Sequence, residues 1–192
     1  MKTIHQATVF IAGSRGLSRL SFDVTRRIDK IVERGLSVIV GDANGVDKAV
    51  QRYLSGRQAQ NVTVFCMEGG CRNNVGAWPT RVIKAADPDR KDFSYYSTKD
   101  RAMAAEADFG LMLWDERSRG TLRNIVDLVQ RGKSVVVYLA RRKSFQNLHH
   151  GNDLEEMLSK TEIGTFGESG RRDRRAGNGD AGRRKEHAEL LF

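Results

Sequence analysis

Apolar residues in this chain come in two kinds of run. Short branched blocks at 7–12 (ATVFIA), 37–40 (SVIV), 62–65 (VTVF), 109–114 (FGLMLW) and 135–139 (VVVYL) read as strands buried on both faces. Between them the spacing changes to three and four. Val24, Ile28, Ile31 and Val32 share one face of a helix that starts at Ser21 and is ended by Gly35. Val46, Ala49, Val50, Tyr53 and Leu54 share a face of a second, which runs to Gly56. Leu122, Ile125, Val126 and Val129 do so in a helix over 121–131 that Gly132 ends. Another helix is expected from Ser97, where Ser97-Thr98-Lys99-Asp100 has the form of a capping box with Asp in place of Glu, turning Met103 and Ala107 inward. A last helix covers 152–160. The stretch 67–96 has neither period. It holds Gly69-Gly70, Asn73-Asn74, Gly76 and both prolines, and is expected to be a long loop insertion with a short helix over 80–86.

Strands alternating with helices define an α/β class. The expected architecture is a single doubly wound, Rossmann-like three-layer sandwich with a mainly parallel five-stranded sheet. Right-handed crossovers make the order 3-2-1-4-5. In such sheets ligands sit beyond the carboxyl ends of the strands where the order reverses, here between the first and fourth strands. Three turns open on that crevice: Gly13-Ser14-Arg15-Gly16, the segment from Gly41 to Asp47, and the segment from Asp115 to Thr121. Asn44 reads as the N-cap of the second helix, and Gly45 lets another group approach the backbone.

The donor inventory of these turns fits a phosphate-bearing ligand. Backbone N–H groups of Gly13 to Gly16 and of Gly120-Thr121 can cradle phosphate oxygens, and the Ser14 and Thr121 hydroxyls add to them. Arg15 or Arg119 can fork onto phosphate, and Asp42 or Asp47 can accept from ribose hydroxyls. Plainer roles stay open. Asp47 is placed to stabilise its own helix, Asp100 to close the capping box, and Trp114 to fill the core rather than stack on a base. The first turn is not a G-x-G-x-x-G fingerprint, and there is no G-x-x-x-x-G-K-[ST] loop.

Composition changes this picture little. A hydrophobic content of 39% over 192 residues allows one domain with a proper core, assigned to 1–163. No apolar run approaches a membrane span, and the N-terminus lacks a signal-peptide pattern, so a cytoplasmic protein with no membrane partner is expected. Cys66 and Cys71 lack zinc-type spacing and read as packing or loop thiols in a reducing compartment; no metal and no cofactor is expected. The net charge is +9, to which 164–187 contributes seven basic and four acidic residues, or +3. The segment 164–192 reads as a basic, disordered tail. The rest of the excess favours phosphate-bearing partners of any size.

The three turn segments resemble the SLOG superfamily, which joins the Lonely-guy phosphoribohydrolases with the DNA-processing protein of natural transformation. VFIAGSRG is similar to its first-strand Gly-Ser-Arg turn. GDANGVDKAVQRYL is similar to its G-x-A-x-G-x-D segment, and KDRAMAAEADFGLMLWDERSRGTLRNI to the Lonely-guy stretch that ends in Gly-Gly-x-Gly-Thr-x-x-Glu. The resemblance implies a nucleotide-binding protein that cleaves or transfers at an N-glycosidic bond. It places Lys99 where those enzymes carry a catalytic Arg, and Asn124 where they carry the catalytic Glu. Asn124 cannot stabilise an oxocarbenium-like state, so a carboxylate elsewhere, Asp100 first and Asp115 second, would have to. The alternatives are a sensor that binds a nucleotide derivative without turnover and a single-strand DNA binder like the DNA-processing protein. An assembly of like chains is compatible with each.

Overall fold

A computed structural model describes residues 6–84 and 93–161. The strands are β1 (Thr8–Gly13), β2 (Ser37–Gly41), β3 (Val62–Met67), β4 (Thr80–Ile83), β5 (Phe109–Trp114), β6 (Ser134–Leu139) and β7 (Ser144–Leu148). The helices are α1 (Phe22–Glu33), α2 (Val46–Gly56), α3 (Phe93–Glu106), α4 (Arg119–Gln130) and α5 (Gly151–Ser159). One sheet runs β4-β3-β2-β1-β5-β6-β7, parallel throughout except for β7, which pairs antiparallel with β6. The expected five-strand order is its centre. The sheet has seven strands rather than five because each edge gains one: β4, where a short helix was expected, and β7.

Side-chain alternation builds a core on both faces of the sheet. Val9 and Ile11 of β1, Val38 and Val40 of β2 and Leu111 of β5 meet Val24, Ile28 and Ile31 of α1 and Val46, Val50 and Leu54 of α2. Phe10, Ala12, Ile39, Met112 and Trp114 point the other way, against Met103 of α3, Ile125 and Leu128 of α4 and Met157 of α5. Trp114 is wholly buried there, with its indole N–H on the Ser118 carbonyl at 3.1 Å, so it is a core residue and not a stacking platform.

Helix ends differ from expectation at two places. The N-cap of α2 is Gly45 at φ 83°, with no side-chain cap bond, rather than Asn44. A Cβ on Gly45 would run into the backbone of Arg15, so glycine serves here to let two turns touch. Helix α3 starts at Phe93, four residues before Ser97, which lies inside the helix, so the Ser97–Asp100 capping box does not form. Ser21 and Ser118 do cap α1 and α4, accepting from the N–H of Val24 and of Thr121. Among the described residues no helix is long and apolar enough to cross a membrane. The segment 164–192 lies outside the described residues.

Candidate functional site

The sheet reverses direction of winding between β1 and β5, and the crevice there is built by one buried serine. Ser14 is 1% exposed. Its N–H donates to the Leu113 carbonyl at 2.9 Å, and its carbonyl accepts from Leu17 at 3.1 Å and from Val46 at 3.4 Å. Its hydroxyl bonds Thr121 Oγ1 at 3.2 Å and accepts the Asp115 N–H at 3.1 Å. A single residue thus ties the turns after β1 and β5 to the starts of α2 and α4. The convergence expected from the strand order is held by hydrogen bonds, two of them made by the Ser14 hydroxyl.

Above this junction lies a cavity of about 550 Å³, within the range of small-ligand sites. Gly13, Arg15, Asp47, Lys99, Gly120 and Thr121 line it, together with both candidate acids, Asp100 and Asp115. Four sequence-derived residues lie beneath or beside it: Ser14, Gly41, Asp42 and Gly45. Arg119 is exposed at the start of α4 and does not line it. Arg72, Tyr96, Ser97, Ser118 and Asn124 complete the walls.

The floor is a compact charge cluster. Asp42, 2% exposed, accepts from the Arg72 guanidinium at 2.7 and 3.1 Å and from the Arg72 N–H at 3.1 Å. Lys99, also 2% exposed, lies 3.6 Å from Asp42 and 3.6 Å from Asp100. Burial alone would raise the Asp42 pKa, but the bonds from Arg72 and the Lys99 charge hold it below the ordinary carboxylate range. Asp47 is the reverse case. Burial, only partly offset by Lys99, lifts it to about 6, and it accepts the Ala43 N–H at 3.2 Å. A Cβ on Gly41 would overlap Asp47 and the Lys99 ammonium, so this glycine leaves room for the cluster. Asp115 faces partly outward. Burial raises its pKa, but the N–H groups of Ser118 and Arg117, at 2.7 and 3.0 Å, bring it below normal and keep it ionised.

The β3–β4 loop is a built wall. Gln51 of α2 donates to the carbonyls of Gly41 and Asn73, at 2.8 and 3.2 Å, and accepts from Val75. Asn74 brackets Trp78 from both sides, and the Trp78 indole N–H reaches the Ala59 carbonyl at 2.8 Å. Cys66 and Cys71 are joined in a disulfide, Cα atoms 5.1 Å apart, which corrects the expectation of two free thiols. The bridge closes the turn that delivers Arg72. That guanidinium lies 4.9 Å from the centroid of the Tyr96 ring, and Arg15 lies 5.8 Å from it. Sequence reading missed Arg72 and Ser118, and offered Tyr96 only as an aromatic available to a single-strand DNA binder. The usable signals were Arg72 following Cys71, and the Tyr95-Tyr96 pair one helical turn before Lys99.

No family model matches the chain, and no curated protein matches it in sequence. Solved structures do. DNA processing protein A from Streptococcus pneumoniae superposes with a TM-score of 0.54 at 15% identity, over 82% of this chain and 62% of that one. The fold is shared with DNA processing protein A. The same protein from Helicobacter pylori, described for its single-stranded DNA binding mode, gives 0.53 at 17% identity over 80% of this chain and 72% of its own. The present chain thus spans less than two thirds of the pneumococcal DNA processing protein A, and the likeness is one of backbone architecture.

Proposed function

We propose that the protein binds single-stranded DNA and seats one nucleotide of the strand in the β1–β5 crevice. The observation that carries this reading is the Tyr96 ring with the guanidinium groups of Arg72 and Arg15 at 4.9 and 5.8 Å, on the wall of a cavity about 550 Å³ in volume. An aromatic face beside two cations is what a base and its phosphate require together, and stacking of this kind accepts any base. The carboxylates of Asp47 and Asp100 are poor neighbours for phosphate but good acceptors for the N–H groups of a base edge. The fold shared with a protein described as binding single-stranded DNA supports the same choice.

A fluorescein-labelled oligothymidylate titrated by anisotropy tests it. Binding is expected in the micromolar range at low salt, with weak competition from duplex. No binding at 100-fold higher protein, on the order of 0.1 mM, contradicts it.

A second reading is favoured by one observation: Asp100 and Asp115 line the cavity together. A free nucleotide would then be the ligand, with one of these acids stabilising positive charge on the sugar during N-glycosidic cleavage. Against turnover, Lys99 is buried between Asp42 and Asp100, and the neutral Asn124 stands in the wall. Chromatography of nucleoside monophosphates after incubation separates the readings: release of free base, lost in Asp100→Asn or Asp115→Asn, selects the second.

A further inference from the structure

The main cavity does not end at the strand tips. Ser97, Asp100 and Asn124 line it and also line a second hollow of about 200 Å³. This hollow lies between α3 and α4, which pack against each other. Its walls follow helical spacing. Ser97, Asp100 and Arg101 stand at i, i+3 and i+4 of α3, and Arg123, Asp127 and Gln130 at i, i+4 and i+7 of α4. The three shared residues form a sill between the crevice and this inter-helix groove.

Charge is distributed unevenly along that groove. The acids near the sill are already compensated: Asp100 lies 3.6 Å from Lys99, and Asp127 is paired with Arg131 at 2.9 Å. Arg101 and Arg123 are both exposed on the far side. A phosphodiester avoids the sill, where it would face the Asp100 carboxylate. A sugar or base edge suits it, because Asp100 accepts and the Asn124 amide both donates and accepts. Beyond the sill the two guanidinium groups suit an anion.

We propose that the α3–α4 groove is a second subsite, which takes the next sugar and base of a strand over Ser97, Asp100 and Asn124 and its phosphate on Arg101 and Arg123. This rests on the single-stranded DNA reading of the crevice and adds two things to it. The smallest full ligand is two linked nucleotides, and the strand leaves between α3 and α4.

The test is calorimetry with thymidine monophosphate, the 5′-phosphorylated dithymidylate and a ten-residue oligothymidylate, on wild type and on Arg101→Ala/Arg123→Ala. Thermal unfolding checks that the variant is folded, and Arg101→Glu provides an independent second variant. In wild type the dinucleotide is expected to bind at least about tenfold more tightly than the mononucleotide. The double variant should lose that advantage, hold the mononucleotide within about twofold of wild type, and show a salt dependence shallower by about 0.7 in log–log slope for the one phosphate no longer neutralised. Equal affinity of mono- and dinucleotide for wild type, or equal loss of both in the variant, overturns the subsite. If the decamer needs Arg15 and Tyr96 but ignores Arg101 and Arg123, the subsite falls and the crevice reading stands. If wild type binds none of the three ligands, both fall.

Discussion

Replacing Asp47 with asparagine should stabilise the protein at neutral pH. Asp47 is 7% exposed, and burial moves its ionisation from 3.8 to about 6 on folding. Between those two values the folded chain holds a proton that the unfolded chain has released. Stability therefore falls as pH rises through this interval, and the whole cost is present above it. A shift of this size corresponds to about 3 kcal/mol once both states are ionised. The asparagine amide keeps an oxygen for the Ala43 N–H and carries no charge to bury. Lys99 retains Asp42 and Asp100 as partners at 3.6 Å each. For a body of this size, about 3 kcal/mol corresponds to a rise in Tm of about 6–12 °C at pH 7. At pH 4, where Asp47 is protonated in the folded state, the gain should shrink to a degree or two. Wild type and Asp47→Asn scanned by calorimetry from pH 4 to 7.5 give the difference directly, free of the carboxylates common to both. A variant less stable than wild type at pH 7, or one equally stabilised at pH 4 and pH 7, refutes the reasoning.

Two further outcomes follow from the backbone. Gly45→Ala combines a φ of 83° with a Cβ set against the Arg15 backbone, and should cost about 2–5 kcal/mol by chemical denaturation; a loss under about 1 kcal/mol means the two turns are not pressed together. Cys71→Ser opens the turn closed by Cys66, with an entropic cost of about 2 kcal/mol, and should weaken oligothymidylate binding several-fold by loosening Arg72; unchanged affinity would detach Arg72 from the ligand.

The sheet was legible where strands are buried on both faces, because continuous branched runs at 109–114 and 135–139 have no other economical reading. The two edge strands were not. In β4, Thr80, Arg81 and Val82 are exposed, and β7 is a polar Ser-Phe-Gln-Asn-Leu segment, so neither shows the period of two that marks a half-buried strand. Helix α3 was recognised but started late, since Ser97-Thr98 mimics a cap while the aromatic residues before it already lie in the helix. The crevice itself followed from strand order and glycine turns. What escaped was the division of labour within it. Ser14 and Asp42 have the right chemistry for a ligand but are buried among protein hydrogen bonds, and Arg72, the partner of Asp42, reaches the cavity wall through a loop with no periodic signal. Only three-dimensional closure distinguishes these cases.

The most direct measurement is the affinity of a labelled oligothymidylate for wild type and for Arg15→Ala/Tyr96→Leu, with thermal unfolding as the control for folding. Removal of the ring and one of its two cations should weaken binding by at least about tenfold, given the worth of base–aromatic stacking, while Tm stays within a few degrees. Equal affinity of the two proteins, or no binding by wild type, contradicts the account.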